Sequence, residues 1–374
     1  MKVVKVRSPF IVEVPSQGST HVGSKIVLTI WNVGESEPTA GQSGYYQLTK
    51  SIPSTTQRAT SYNVSNYVKE FIDNVKPNNY NLTTTGAENV NEYCIFHVLT
   101  YWYNGTTYTN LTGEYYYGVN GFTNYTDGYQ NPSETKLNLL ANTNIKNYYY
   151  KSSYADLKME YLNLLFDKLS TDSFTLKYER IDGTVYSTTQ NILSGVTGID
   201  NLKIPITPVI FDNNFVNGCK VTITITPASG SPTVYVFYSY PIEECKYTPV
   251  RCSFINRYGG WKDIIFFKAQ TNTISSKGTD YKLMPSAINY NTSKGQVKSF
   301  NINGTQTIKL NTGFVDENYS ELITDLLLSE TVLLDAKPVM VKTQGSELKT
   351  SLKDKMINYE IEFEYAYNLI NDVV

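Results

Sequence analysis

Histidine is nearly absent from this sequence: His21 and His97 are the only two in 374 residues. They stand apart, His21 after Gly18-Ser-Thr and His97 within Cys94-Ile-Phe-His-Val, and no serine, histidine and acid fall together in a recognisable order. A hydrolytic triad has no visible basis, and His97 reads as a structural strand residue. The four cysteines, Cys94, Cys219, Cys245 and Cys252, form no C-x-x-C pair and no zinc-finger spacing, so they are expected as buried free thiols. Gly-rich phosphate loops of the GxGxxG or GxxxxGK[ST] type are missing, which removes the usual signature of a nucleotide cofactor.

Charge of one sign is lacking too. The 32 basic residues nearly balance the 34 acidic ones, leaving no broad positive field to neutralise a phosphate backbone, so no specific nucleic-acid partner is expected. No apolar run reaches the length of a membrane span. The opening MKVVKVRSPFIVEV carries Lys2, Lys5 and Arg7 inside its apolar stretch, so it does not read as a signal-peptide core, and folding in a cytoplasm is the expectation. EF-hand spacing is absent, and the oxygen-rich clusters Asp316-Glu317-Asn318 and Asp212-Asn213-Asn214 read as solvated loops. The expectation is a non-enzyme with no catalytic, cofactor-binding or metal-binding residues and no membrane insertion.

What the chain does have is tyrosine, 32 residues of it, with much Asn, Thr and Ser and only 18% charged residues. Aromatic and β-branched residues fit a pleated, half-buried surface, so the composition is that of a β protein. Such a surface suits contact with protein or sugar, since tyrosine supplies area at little entropic cost. An AT-rich genome would enrich the same residues, and composition does not choose between the two. Eight Asn-x-Ser/Thr sequons are expected by chance in so Asn- and Thr-rich a chain.

Along the chain, residues 3–14, 25–33, 45–52 and 59–64 read as strands, and Val64, Tyr67, Val68, Phe71, Ile72 and Val75 then recur at helical spacing behind Ser65 as N-cap. Residues 92–103 and 106–117 flank Asn104-Gly105, the dipeptide of a type I′ hairpin. The polar run 125–146 reads as a linker. Residues 174–180 and 184–189 flank Asp182-Gly183, and 221–226 alternates perfectly and pairs with 234–238. Farther on, 296–302 and 305–311 read as strands. Residues 318–329 read as an amphipathic helix with Asn318 and Glu321 as a capping box. The fold expected is mainly β: tandem immunoglobulin- or fibronectin-like sandwiches over 1–150 and 151–248, then an α+β portion over 249–374 containing one amphipathic helix.

Three local features invite a functional reading. In FINRYGGWKDIIFF, residues 254–267, a hairpin turning at Gly259-Gly260 would leave Trp261 over its end and Arg257, Lys262 and Asp263 on its rim. The last strand sets Ile357, Tyr359, Ile361, Phe363 and Tyr365 against Asn358, Glu360, Glu362 and Glu364, so one face is core and the other a row of acids. Paired carboxylates suffice for glycoside hydrolysis, but three on one strand face read better as a solvated or interface row. The candidate interface residues are therefore Arg257, Trp261, Glu360, Glu362 and Glu364. Aromatic trios at 101–103, 115–117 and 148–150 could stack sugars, though alternate members of a strand must face opposite ways, which puts part of each in the core.

Three stretches together, RSPFIVEV with KIVLTIWNVGESEPT, YYQLTKSIPSTT and YNVSNYVKEFI; KYTPVRCSFINRYGGWKDIIFFKAQTNTISSKGTDYK; and LNTGFVDENYSELITDLLLSETVLL with DKMINYEIEFEYAYNLI, resemble proteins of tailed bacteriophages of Bacteroidota, the crAss-like phages especially. They cover roughly half the chain and hold no catalytic signature. The resemblance implies a virion structural protein of the tail or neck, assembled in the host cytoplasm. It would be a ring or hub subunit, homo-oligomeric and in contact with portal, tail or fibre proteins. The alternative is a receptor-binding tail module recognising a host surface glycan.

Overall fold

A computed structural model describes the chain except residues 54–58, 73–91, 151–159, 169–171, 192–197, 207–216, 243–245, 285–287, 290, 344–355 and 371–374. Cys245 and the Asp212 cluster fall outside the described residues. Two compact units emerge, one of residues 1–242 with 255–262 and one of 243–254 with 263–374. The division departs from the three consecutive domains expected. The two sandwich regions belong to one unit, and the tip of the FINRYGGWKDIIFF hairpin belongs to that unit rather than to the C-terminal one.

The first unit begins with β1 (Val3–Lys5), β2 (Ile11–Val14), β3 (Gly23–Asn32), β4 (Tyr45–Ser51), β5 (Thr60–Asn63), α1 (Ser65–Lys69), β6 (Tyr93–Tyr103) and β7 (Tyr108–Val119). A sheet of order β1-β7-β6-β3-β4 and the pair β2-β5 carry the core, in which Phe10, Val14, Ile26, Leu28, Val64, Val68 and Phe96 cluster. Ser65 is not the helix cap that its position suggests. Its hydroxyl is used by the β2 approach, accepting from Phe10 N at 2.6 Å and donating to the Ser8 carbonyl at 2.7 Å.

Next come β8 (Leu137–Leu139), β9 (Asn147–Tyr150), β10 (Tyr161–Lys168), β11 (Ser173–Arg180), β12 (Val185–Asn191), β13 (Gly198–Pro205), β14 (Cys219–Thr226) and β15 (Thr233–Pro241). They form a three-stranded sheet β13-β10-β8 and a five-stranded sheet β12-β11-β14-β15-β9. The stretch expected as a linker is therefore partly structural: β8 pairs with β10, and Leu140, Ala141 and Ile145 are buried. Both predicted hairpins form, but without the type I′ turn. Only Gly105 and Gly183 are left-handed, while Asn104 Oδ1 accepts from Thr106 and Thr107 and Asp182 Oδ1 accepts from Thr184. A short polar side chain bonding the backbone ahead does the work of the second positive φ.

The second unit holds β16 (Val250–Ile255), β17 (Trp261–Phe266), β18 (Thr271–Lys282), β19 (Val297–Asp316), α2 (Tyr319–Leu327), β20 (Val332–Leu334), β21 (Lys337–Val341) and β22 (Met356–Tyr365), apart from the hairpin tip. Its sheet runs β17-β16-β20-β21-β22-β19-β18. The helix forms where expected and buries Tyr319, Leu322, Ile323 and Leu326, but Asn318 makes no side-chain cap; Asp316 Oδ1 instead accepts from Asn318 N at 3.0 Å. The two short strands expected at 296–302 and 305–311 are one 20-residue strand, which runs straight through Asn303-Gly304. The fold is thus mainly β, with tandem sandwich regions and a C-terminal sheet plus helix. Among the described residues no helix is long and apolar enough to cross a membrane.

Candidate interaction surface

The glycine-rich turn of FINRYGGWKDIIFF is organised by a residue outside its glycines. Asn256 accepts on Oδ1 from Tyr258 N and Gly260 N at 2.9 and 3.1 Å and donates from Nδ2 to the Leu140 carbonyl at 2.9 Å. Gly259 adopts φ +91°, and a Cβ on Gly260 would collide with the Leu140 carbonyl oxygen. Trp261 is 4% exposed and its carbonyl accepts from Asn163 Nδ2 at 2.7 Å, so the residue is buried and tied to the first unit and does not stand on an open rim. Lys262, expected at the rim, is 3% exposed and pairs with Glu160 at 2.6 Å above the Tyr148 ring. Arg257 is half-buried and lies against its neighbour Tyr258, donating to that hydroxyl at 2.8 Å. This cluster is an anchor inside one unit.

The acid row holds its place on the exposed face of β22. Across the sheet Glu360 faces Asn311, Glu362 faces Lys309 and Glu364 faces Thr307, with Met340 beside Glu364 on the other flank. Glu360 bridges Lys309 at 2.5 Å and accepts from Asn311, and these two bonds hold its carboxyl below the usual range. Glu364 bridges Lys342 at 3.1 Å. Phe314, 64% exposed, sits opposite Asn358 on this same face. The row is a mixed acidic and apolar surface, and it is not a stripe of bare carboxylates.

Among the described residues β18, at the edge of the same sheet, pairs only with β19, and every one of them from 269 to 302 is exposed. The tail segment follows β19 as far as Asn303, which exchanges hydrogen bonds with Ile370 at 2.9 and 3.0 Å. Beyond that point the two strands form an arm of their own. On it Met284 is 86%, Ile288 99%, Val297 61% and Ile302 49% exposed. Nothing in the amino-acid pattern of β18 announces a strand, since a two-stranded arm with both faces in solvent has no buried face to impose alternation.

A polar cluster on the first unit gathers around Glu37. His97 Nδ1 lies 2.8 Å from Glu37 and its ring stacks on Tyr115 at 4.0 Å, while Thr29 and Tyr115 both donate to the Glu37 carboxylate. Burial pushes the Glu37 carboxyl up, but the hydrogen bonds from His97 and Thr29 and the His97 charge outweigh it and bring it down. No nucleophile stands in this cluster. Of the aromatic trios, Tyr148 and Tyr150 are buried, Tyr116 stacks on Phe96 and Trp102 lies edge-on to His21, so their members do not line up as one platform. Burial pushes the Cys94 and Cys219 thiols up to about 12, so neither is a nucleophile at neutral pH. Among the described residues no group of three or more His, Cys, Asp or Glu side chains converges as a metal cage.

No family model and no curated protein matches the chain. Among solved structures it is similar to one titled "Crystal structure of CBD12 from CALX1.2", at 9% identity over 62% of this chain and 79% of that one, with a TM-score of 0.20.

Proposed function

We propose that this chain is a non-enzymatic structural protein of a bacteriophage virion, a ring or hub subunit of the tail or neck that joins portal, tail and fibre proteins. The three sequence stretches that resemble crAss-like phage proteins supply the setting. The observation that carries the assembly role is the exposed β18–β19 arm. A two-stranded ribbon with apolar side chains on view is marginal alone in water and is stabilised by being covered. The residues with polar chemistry described above, His97 with Glu37 and Lys262 with Glu160, are satisfied by one another. They present no reacting group to a substrate.

A second reading, a receptor-binding module for a surface glycan, is favoured by one feature of the first unit. Tyr103 stacks on Tyr108 at 4.6 Å, and Lys25 stands over the rings of both Tyr101 and Tyr108 at 4.6 Å. Tyr108 is 43% exposed, a ring on which a sugar could stack. Electron-microscopy reconstruction of the intact particle decides between the two. The assembly reading expects this chain in a closed ring along the tail or neck axis, and a position at a fibre tip would replace it with the receptor reading. Purified particles free of the chain would sink both.

A further inference from the structure

Residues 271–302 contain Lys277, Lys282, Lys294 and Lys298 against the single acid Asp280, while the rest of the second unit carries 9 basic and 15 acidic residues. One unit thus bears a basic, apolar arm and an acidic, apolar body. On the sheet face of Glu360, Glu362 and Glu364, Lys309 and Lys342 bridge two of the three carboxylates, so the acids still exceed the bases there, and Phe314 and Met340 are exposed at 64% and 50% beside them. From the charge alone the two surfaces attract, yet the arm is not folded back on its own sheet, since all its described residues are exposed.

We infer that the arm of one copy docks on the acidic face of β22 in a second copy of this chain. The contact is head-to-tail, because arm and face are different surfaces of the same molecule, and repetition of such a contact closes into a ring or grows as a filament. Lys277, Lys282 and Lys298 supply the steering charge, and Tyr281 and Phe300, in ring contact on the arm face that carries Lys298, supply apolar area to set against Phe314 and Met340. Among the described residues no strand pairs with the outer edge of β18, which is the side on which a further strand could add. This deepens the assembly reading by naming the partner and the two surfaces.

Charge reversal on the full-length chain tests it by mass photometry and sedimentation across a salt series. The chain carrying K277E, K282E and K298E, and the chain carrying E360K, E362K and E364K, should each associate roughly tenfold or more weakly than the parent. Mixing the two should restore assembly, since reversed arm then meets reversed face, and raising salt should weaken the parent. Glu362→Gln removes one carboxylate of the row without setting a second lysine opposite Lys309 and serves if the triple face variant fails to fold. Parent chains that stay monomeric, association indifferent to both reversals, or a mixture that fails to reassemble would each overturn the inference. So would arm lysines needed for shifting DNA and not for self-association. Arm-on-face association by a chain absent from particles would keep this inference and remove the virion role; incorporation with the arm on another protein would do the reverse.

Discussion

Lys262 is the residue on which local chemistry and fold depend most directly. An ammonium 3% exposed is costly to bury unless its charge is met, and here Glu160 meets it at 2.6 Å with the face of Tyr148 4.1 Å below. Burial works to lower the Lys262 pKa, the Glu160 charge works to raise it, and the net direction is upward. A raised folded pKa means that the stabilisation is complete below the unfolded value and is lost as pH rises through the folded one, so the pair holds at neutral pH. Lys262→Met takes the ammonium away from the largely buried Glu160 carboxylate and is expected to cost about 3–5 kcal/mol. Lys262→Met with Glu160→Leu should recover most of that, because an apolar pair has no charge to strand. Urea denaturation of the two variants reads the difference, and a single variant within about 1 kcal/mol of the parent would show that the pair contributes little. The sequence could not disclose this arrangement. A lysine beside two glycines and an aspartate looks like a rim residue, and Glu160 lies 102 positions away.

At the scale of elements, strands with one buried face were legible and those without one were not. Residues 221–226 alternate and form β14, and the Ile357 to Tyr365 alternation forms β22 with its acids outward. The β18 sequence Thr-Asn-Thr-Ile-Ser-Ser-Lys-Gly-Thr-Asp-Tyr-Lys has no such pattern, and Asn303-Gly304, which separates the strands expected at 296–302 and 305–311, lies within a single long strand. There the Asn303 amide ties to Ile370, so that dipeptide becomes a docking point for the tail segment. The hairpin at Gly259-Gly260 is legible as a turn, but its dependence on Asn256 and on Leu140 is not, because Leu140 sits in the polar run 125–146 whose composition is that of a linker. Gly260→Val puts a branched side chain on the Leu140 carbonyl, which has no freedom to retreat while it accepts from Asn256. The variant should lose roughly 5–10 °C in Tm, or fail to accumulate as soluble protein, as expected for overpacking that strikes backbone. An unchanged Tm would mean that the turn does not close on Leu140.

At the scale of the whole chain, linear order and compact units disagree. Residues 255–262 lie beyond the second sandwich in sequence but complete the first unit, where Ile255, Asn256, Trp261 and Lys262 are all buried. The boundary expected at 249 rested on composition and strand spacing, which register where one run of strands stops. They do not register that a later hairpin tip supplies a tryptophan and a lysine to an earlier core. A fragment of residues 1–242 therefore lacks part of its own interior, and each large apolar side chain missing from a core costs on the order of 2–3 kcal/mol. A fragment of residues 1–262 contains the tip. The longer fragment should melt above the shorter by more than about 5 °C, the shift that 2 kcal/mol or more produces in a unit of this size. Trp261→Ala within 1–262 should remove most of the gain, which ties the effect to the packed ring and not to added length. Equal melting of the two fragments would return the boundary to where composition first put it and make residues 255–262 an ornament of the second unit.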